Sequence, residues 1–175
     1  MKILKVLGMA LLVLIVGYVI LCVFGPKTMD TERSITINAP TESVFGVVSD
    51  FGQWNEWSPW YKRETTMKTT VTGNPGTVGH KLAWVSETQG SGEMEVTGIE
   101  PGTKMTSALR FKDWDSESTT EFIVTPEGNG SKMTWTMKGD ETPFMFRGLM
   151  LLMGGQEMMN NDFDEGLNSL KKMLE

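Results

Sequence analysis

"SITINAPTESVFGVVSDFGQWNEWSPW", residues 34–60, decides how the chain is read. Its first seven residues alternate. Ile35 and Ile37 point one way, Thr36 and Asn38 the other, as in a half-buried strand. Pro40 ends the strand. "TESVFGVVSD" then has helical spacing, with Thr41 as the cap and Val44, Val47 and Val48 on one face. "FGQWNEW" predicts a second short helical turn that stops before Pro59, because the residue preceding proline disfavours the α region. Trp54, Trp57 and Trp60 fall within seven residues, half of the chain's six tryptophans. Such a cluster either packs helices onto a sheet edge or forms the rim of a pocket or a membrane contact.

Downstream, the sequence reads strand, turn, strand. "MKTTV" leads into "GNPGT", with Pro75 and Gly76 placed for a type II turn. "HKLAWVS" sets His80, Leu82 and Trp84 on one face, and "GEMEVTGI" sets Met94 and Val96 against Glu93, Glu95 and Thr97. "KMTSALRF" aligns Met105, Ser107, Leu109 and Phe111. "KDWDSES" is a polar loop. "STTEFIVT" aligns Phe122 and Val124, and "KMTWTMK" aligns Met133, Trp135 and Met137. "EGNGS" signals a hairpin through Asn129-Gly130. Seven strands joined by short turns predict one curved antiparallel sheet. Its cover is C-terminal: Phe163, Leu167, Leu170 and Leu174 lie at helical spacing, and the helix extends back through "PFMFRGLMLLMGGQEMMNN", with a kink or break at Gly154-Gly155.

The chain opens differently. Val6 to Phe24 carry no charge and no polar face, and the stretch has about the 20 apolar residues a membrane-crossing helix needs. Gly25 and Pro26 end it. The competing reading is a cleaved signal peptide, but "YVILCVFGPK" has no small-x-small site, and Leu21 stands where a lipoprotein needs a small residue before Cys22. The expected organisation is a transmembrane signal-anchor over 1–26, a linker over 27–33 and one domain over 34–175. Lys2 and Lys5 favour a cytoplasmic N-terminus, which places the domain on the extracytoplasmic side of the inner membrane as a single-pass protein.

Without those two lysines, 14 basic residues face 22 acidic ones, a balance of −8. No basic stripe exists, which argues against a nucleic-acid partner. The single cysteine, Cys22, lies in the anchor, so the domain can form neither a disulfide nor a thiolate zinc site. "NNDFDEG", 160–166, has an oxygen-ligand spacing at Asn160, Asp162 and Asp164. It lacks the glycine and the late glutamate of a calcium loop: Glu165 and Lys171 stand there. No serine elbow or metal pattern appears, and neither a cofactor nor a catalytic set is expected. Arg147 and Asp140 flank the start of the C-terminal helix as an expected ion pair.

The order of these segments resembles the START-like (SRPBCC) superfamily, the α+β helix-grip fold of birch-pollen-allergen-like proteins and polyketide cyclases. Residues 34–60 are similar to its opening strand, helix and tryptophan turn. "GSGEMEVTGIEPGTKM" is similar to its central hairpin, "SKMTWTMKGD" to its last strand and "FDEGLNSLKKML" to its final helix. The resemblance implies a cavity between sheet and helix for a hydrophobic small molecule or lipid. The candidate lining is Trp57, Trp60, His80, Trp84, Met94, Phe111, Phe122, Trp135, Phe146 and Met150. Met145, Met153, Met158 and Met159 belong to the covering segment, and methionine suits an adaptable apolar wall. Two alternatives to a carrier stand: a cyclase- or hydrolase-type enzyme in the same cavity, drawing on His80, Ser107 and Tyr61, or a non-catalytic interaction module with a filled core.

Overall fold

A computed structural model describes residues 2–112 and 117–175. It contains α1 (Lys2–Phe24), β1 (Thr31–Ile37), α2 (Thr41–Val48), a 3-10 turn (Phe51–Gln53), α3 (Trp54–Trp57) and α4 (Pro59–Arg63). β2 (Lys68–Thr72), β3 (Lys81–Val85), β4 (Gly92–Glu100), β5 (Lys104–Phe111), β6 (Glu117–Glu127) and β7 (Gly130–Lys138) follow. α5 (Phe144–Met153) and α6 (Gly155–Leu174) end the chain. The "KDWDSES" loop with Trp114 lies largely outside the described residues.

The seven strands form one antiparallel sheet in the order β1-β7-β6-β5-β4-β3-β2. The alternation in the sequence gives the inner face. Met94, Val96, Met105, Phe122, Val124, Met133, Trp135 and Met137 are all buried. A bulge between Val96 and Gly98 bends β4 and adds curvature. The outer face is charged: Lys81, Glu93, Glu95 and Arg110 pair across β3, β4 and β5.

α6 runs along β1 in the same direction and closes the inner face with Phe163, Leu167 and Leu170. Polar clamps fix it: Gln156 Nε2 donates to Thr31 Oγ1 (3.0 Å), Arg33 Nε to Asp164 Oδ1 (2.8 Å), and Lys171 Nζ to the Thr36 carbonyl (2.8 Å). On its other flank Arg63 pairs with Asp162 at 2.6 Å and with Glu165. The acidic run 160–166 therefore holds a helix to its neighbours, and no group of three or more possible metal ligands occurs among the described residues.

Three local expectations change and one is met with an addition. β1 starts at Thr31, inside the segment read as linker, because Thr31 to Ser34 still find partners in Met137 to Thr134. Thr41 is the first helical residue of α2 and not its cap; Pro40 stands at the cap with no side-chain bond. The tryptophan turn does stop before Pro59, but Ser58 at once caps α4, accepting from Tyr61 N at 3.3 Å. The β6–β7 hairpin turns at Gly128-Asn129, with Glu127 paired to Gly130 and Gly128 alone at positive φ (58°). Glycine in the first central position is the type II′ pattern. Gly130 is needed for another reason: a Cβ there would sit 2.2 Å from the Ile37 carbonyl oxygen.

Candidate functional site

Between sheet and α6 the residues expected to wall a cavity pack against one another. Trp135 stacks on Phe163 with centroids 3.9 Å apart, and Trp57 meets Trp135 edge-on at 5.4 Å and Phe122 at 5.8 Å. Trp54 stacks on Trp60 at 6.2 Å and meets Trp57 edge-on at 4.6 Å. Phe122 and Phe163 are at most 1% exposed, and so is Trp57. A wall of a water-sized cavity would show accessible surface, and these side chains do not. The expected open cavity at this position is thus replaced by an aromatic cluster. The tryptophan turn answers to packing: Trp57 faces the core, and the Trp60 indole N–H donates to Asp162 on α6 at 3.1 Å. Four buried side-chain polar atoms among the described residues have no hydrogen-bond partner: Asn55 Oδ1, Trp57 Nε1, Ser107 Oγ and Thr136 Oγ1. Trp135 Nε1, by contrast, donates to Thr120 Oγ1 at 3.0 Å.

His80 is buried, just before β3, but it is a backbone pin. Its Nε2 accepts from Phe51 N–H at 2.9 Å, and Nδ1 lies 3.0 Å from the Thr72 carbonyl, so the proton sits on Nδ1. Its ring stacks on Phe51 at 5.0 Å. Both nitrogens are engaged, which leaves none to receive a proton from a ligand.

Met94 is buried between its register partners Leu82 and Leu109. Trp84 and Phe111 form a separate half-buried pair, edge-on at 5.8 Å, with Trp84 Nε1 donating to the Gly90 carbonyl at 2.9 Å. The nearby β3–β4 loop is tied to the end of α4 by Glu64. Its carboxylate accepts from Ser86 Oγ (2.7 Å), Glu87 N (2.9 Å), Thr88 N (3.2 Å) and Thr88 Oγ1. These donors, Thr88 Oγ1 first, hold its pKa down to about 2.

Phe146 and Met150 lie elsewhere, on α5. Gly154 adopts a left-handed conformation (φ 63°) and separates α5 from α6, as the Gly-Gly pair predicts. α5 does not cover the sheet. It packs on the end of α1, where a Cβ on Gly148 would lie 2.9 Å from Cys22 Sγ and 3.2 Å from the Tyr18 ring. Tyr18 Oη donates to the Met145 carbonyl at 2.6 Å. Met145 and Met153 are accordingly exposed, and Met158 on α6 is exposed too, against the expectation that they cover the sheet. Arg147 pairs with Glu141, not Asp140, and donates to the Thr142 carbonyl at 2.9 Å; Asp140 accepts from Glu117 N. At the meeting of α1, α5 and α6 lies an open cleft of about 350 Å³ lined by Phe24, Pro26, Met150, Leu151, Gly154 and Gly155, with Gln156 and Glu157 at its polar side. Composition alone could not find this cleft, since it depends on how α5 folds back onto α1. The helix-breaking Gly-Gly pair was the available signal.

α1 is long and apolar enough to cross a membrane, with a mean hydropathy of 3.0 over its most apolar 18 residues, as a membrane anchor or a signal sequence would be. The fold is shared with solved structures. One is a Thermobifida fusca protein (TM-score 0.62, 20% identity, 83% of this chain and 93% of that one). Others come from Chromobacterium violaceum (0.61, 16%, 83% and 96%) and Thermus thermophilus (0.60, 19%, 83% and 96%). Among curated proteins, none matches the sequence. Residues 28–175, from just past α1 to the last residue of the sheet-and-helix domain, match the family described as "Polyketide cyclase / dehydrase and lipid transport", and the chain belongs to that family.

Proposed function

We propose that this chain is a membrane-tethered START-like domain that takes up a hydrophobic small molecule or lipid through the cleft between α1, α5 and α6. The observation that carries the reading is the cleft itself. Its roughly 350 Å³ reaches the lower end of the range for ligand sites, about 300–1,000 Å³, and its walls are chiefly apolar. It adjoins the anchor, so a ligand leaving a bilayer meets it without crossing water. Lys2 and Lys5 favour the orientation that puts the domain on the extracytoplasmic face of the inner membrane. Each methylene transferred out of water into the cleft contributes about 0.8 kcal/mol.

The enzyme alternative requires a nucleophile beside a base. Ser107 offers a hydroxyl, but both nitrogens of His80 are engaged by backbone. The groups at hand serve binding better than turnover.

Native mass spectrometry of the full chain released from nanodiscs tests the proposal. An apolar molecule should co-purify and be lost in Gly155→Leu, whose side chain projects toward Met150 Sδ (3.1 Å from the Cβ position) and plugs the cleft. An apo mass throughout, or equal occupancy in the plugged variant, overturns it.

A further inference from the structure

α5 is ten residues long, about 15 Å, half of what a bilayer's hydrocarbon core requires. Its composition is nonetheless that of a membrane segment: Arg147 is its only charged residue. That guanidinium is pinned to Glu141 and the Thr142 carbonyl just before the helix, and its side chain is 13% exposed. Met145, Phe146, Leu149, Leu152 and Met153 project outward along one arc, with Leu152 64% and Met145 58% exposed. Soluble domains rarely leave such an arc bare.

What covers it follows from where α5 sits. It packs on the last two turns of α1, with Gly148 against Tyr18 and Cys22 and the Arg147 carbonyl where a Cβ on Gly25 would fall. Tyr18 to Phe24 span about 10 Å of helix axis. With α1 across the bilayer, that stretch occupies the outer part of the leaflet in which α1 ends. An apolar helix with its face sunk about 5–10 Å below the headgroups occupies the same depth. The acidic and polar residues Asp140, Glu141, Gln156 and Glu157 flank α5 at both ends, where the headgroup region begins.

We infer that α5 is a second membrane-embedded element, lying in one leaflet with its Met145–Leu152 face among lipid acyl chains. This rests on the reading of α1 as a membrane span. The occupant of the apolar arc is the acyl layer, because the arc continues the lipid-facing surface of the helix it packs against.

The test is spin-label accessibility on the full chain in phosphatidylethanolamine–phosphatidylglycerol vesicles. In a Cys22→Ala background, single labels go on Met145→Cys and Leu152→Cys in α5, on Val13→Cys in mid-anchor and on Val78→Cys in an exposed loop. Labels on α5 and at Val13 should collide severalfold more with oxygen than with a water-soluble nickel chelate, and the label at Val78 the reverse. If Val13 is in lipid while the α5 labels behave like Val78, the inference falls and the anchor reading stands. If the α5 labels are shielded from both reagents, protein such as a second copy covers the arc, and the inference again falls. If Val13 itself is outside lipid, both readings fall together.

Discussion

Trp135 and Phe163 stack nearly parallel, 3.9 Å between ring centroids and 17° between planes, and so join β7, the last strand, to the helix that grips the sheet. Trp54, Trp57, Trp60 and Phe122 all contact the Trp135 ring. The contact is therefore the hub of the core. Phe163→Ala should cost about 3–5 kcal/mol, since the surrounding rings are too constrained to collapse into the space. Denaturant unfolding followed by tryptophan fluorescence measures it, and a loss under 1 kcal/mol would show that the stack is not the hub.

Gly166 faces the same ring across α6. A Cβ there would lie 2.9 Å from Trp135 Cζ3 and 3.3 Å from Pro59 Cδ. Helix propensity alone favours alanine over glycine by about 1 kcal/mol. Overpacking against a ring that cannot move reverses the sign, and Gly166→Ala should destabilise by about 1–3 kcal/mol. A gain in melting temperature would refute the tight approach.

Removing the His80 imidazole deletes the acceptor of the buried Phe51 amide and the ring's bond to the Thr72 carbonyl. His80→Ala should cost roughly 2–4 kcal/mol and speed hydrogen exchange at the Phe51 amide, with ligand occupancy in the folded fraction unchanged. Loss of ligand from a protein of unchanged stability would instead return His80 to the binding site.

The Glu64 carboxylate has a folded pKa of about 2, below its usual 4.5. A depressed carboxylate pKa contributes stability that is present above the unfolded value and lost as pH falls through the folded one. The β3–β4 loop should thus stay latched above pH 4.5 and loosen progressively down to about pH 2. The amide resonances of Glu87 and Thr88 report this directly. Glu64→Gln should abolish their titration in that window.

The sheet was legible because its signal is local. Strict alternation at Met94/Val96, Phe122/Val124 and Met133/Trp135/Met137 assigns an inner face without knowledge of neighbours, and the Gly154-Gly155 pair marks a helix break by itself. What escaped was set by partners distant in sequence. His80 reads as an inward strand residue until Phe51, 29 positions earlier, claims its Nε2. The methionines of α5 read as cover for the sheet because apolar residues on all sides of a helix name no partner; Tyr18 and Cys22 decide it. The filled interior was unreadable for a related reason, since residues that line a cavity and residues that close one are the same types, and only ring-to-ring distances tell them apart.

The topology also governs how the chain is made. β1 has β7 as its one strand neighbour, and Thr31 pairs with Met137, more than a hundred residues later. While ribosomes are still making β2 to β6, β1 waits unpaired behind an apolar helix already synthesised. Closing so long a loop is slow, because its entropy is lost before the distant contacts repay it. The domain therefore cannot complete itself piecemeal as it emerges. It matures in one late step, after β7 and α6 arrive, with its first strand unpaired in the meantime.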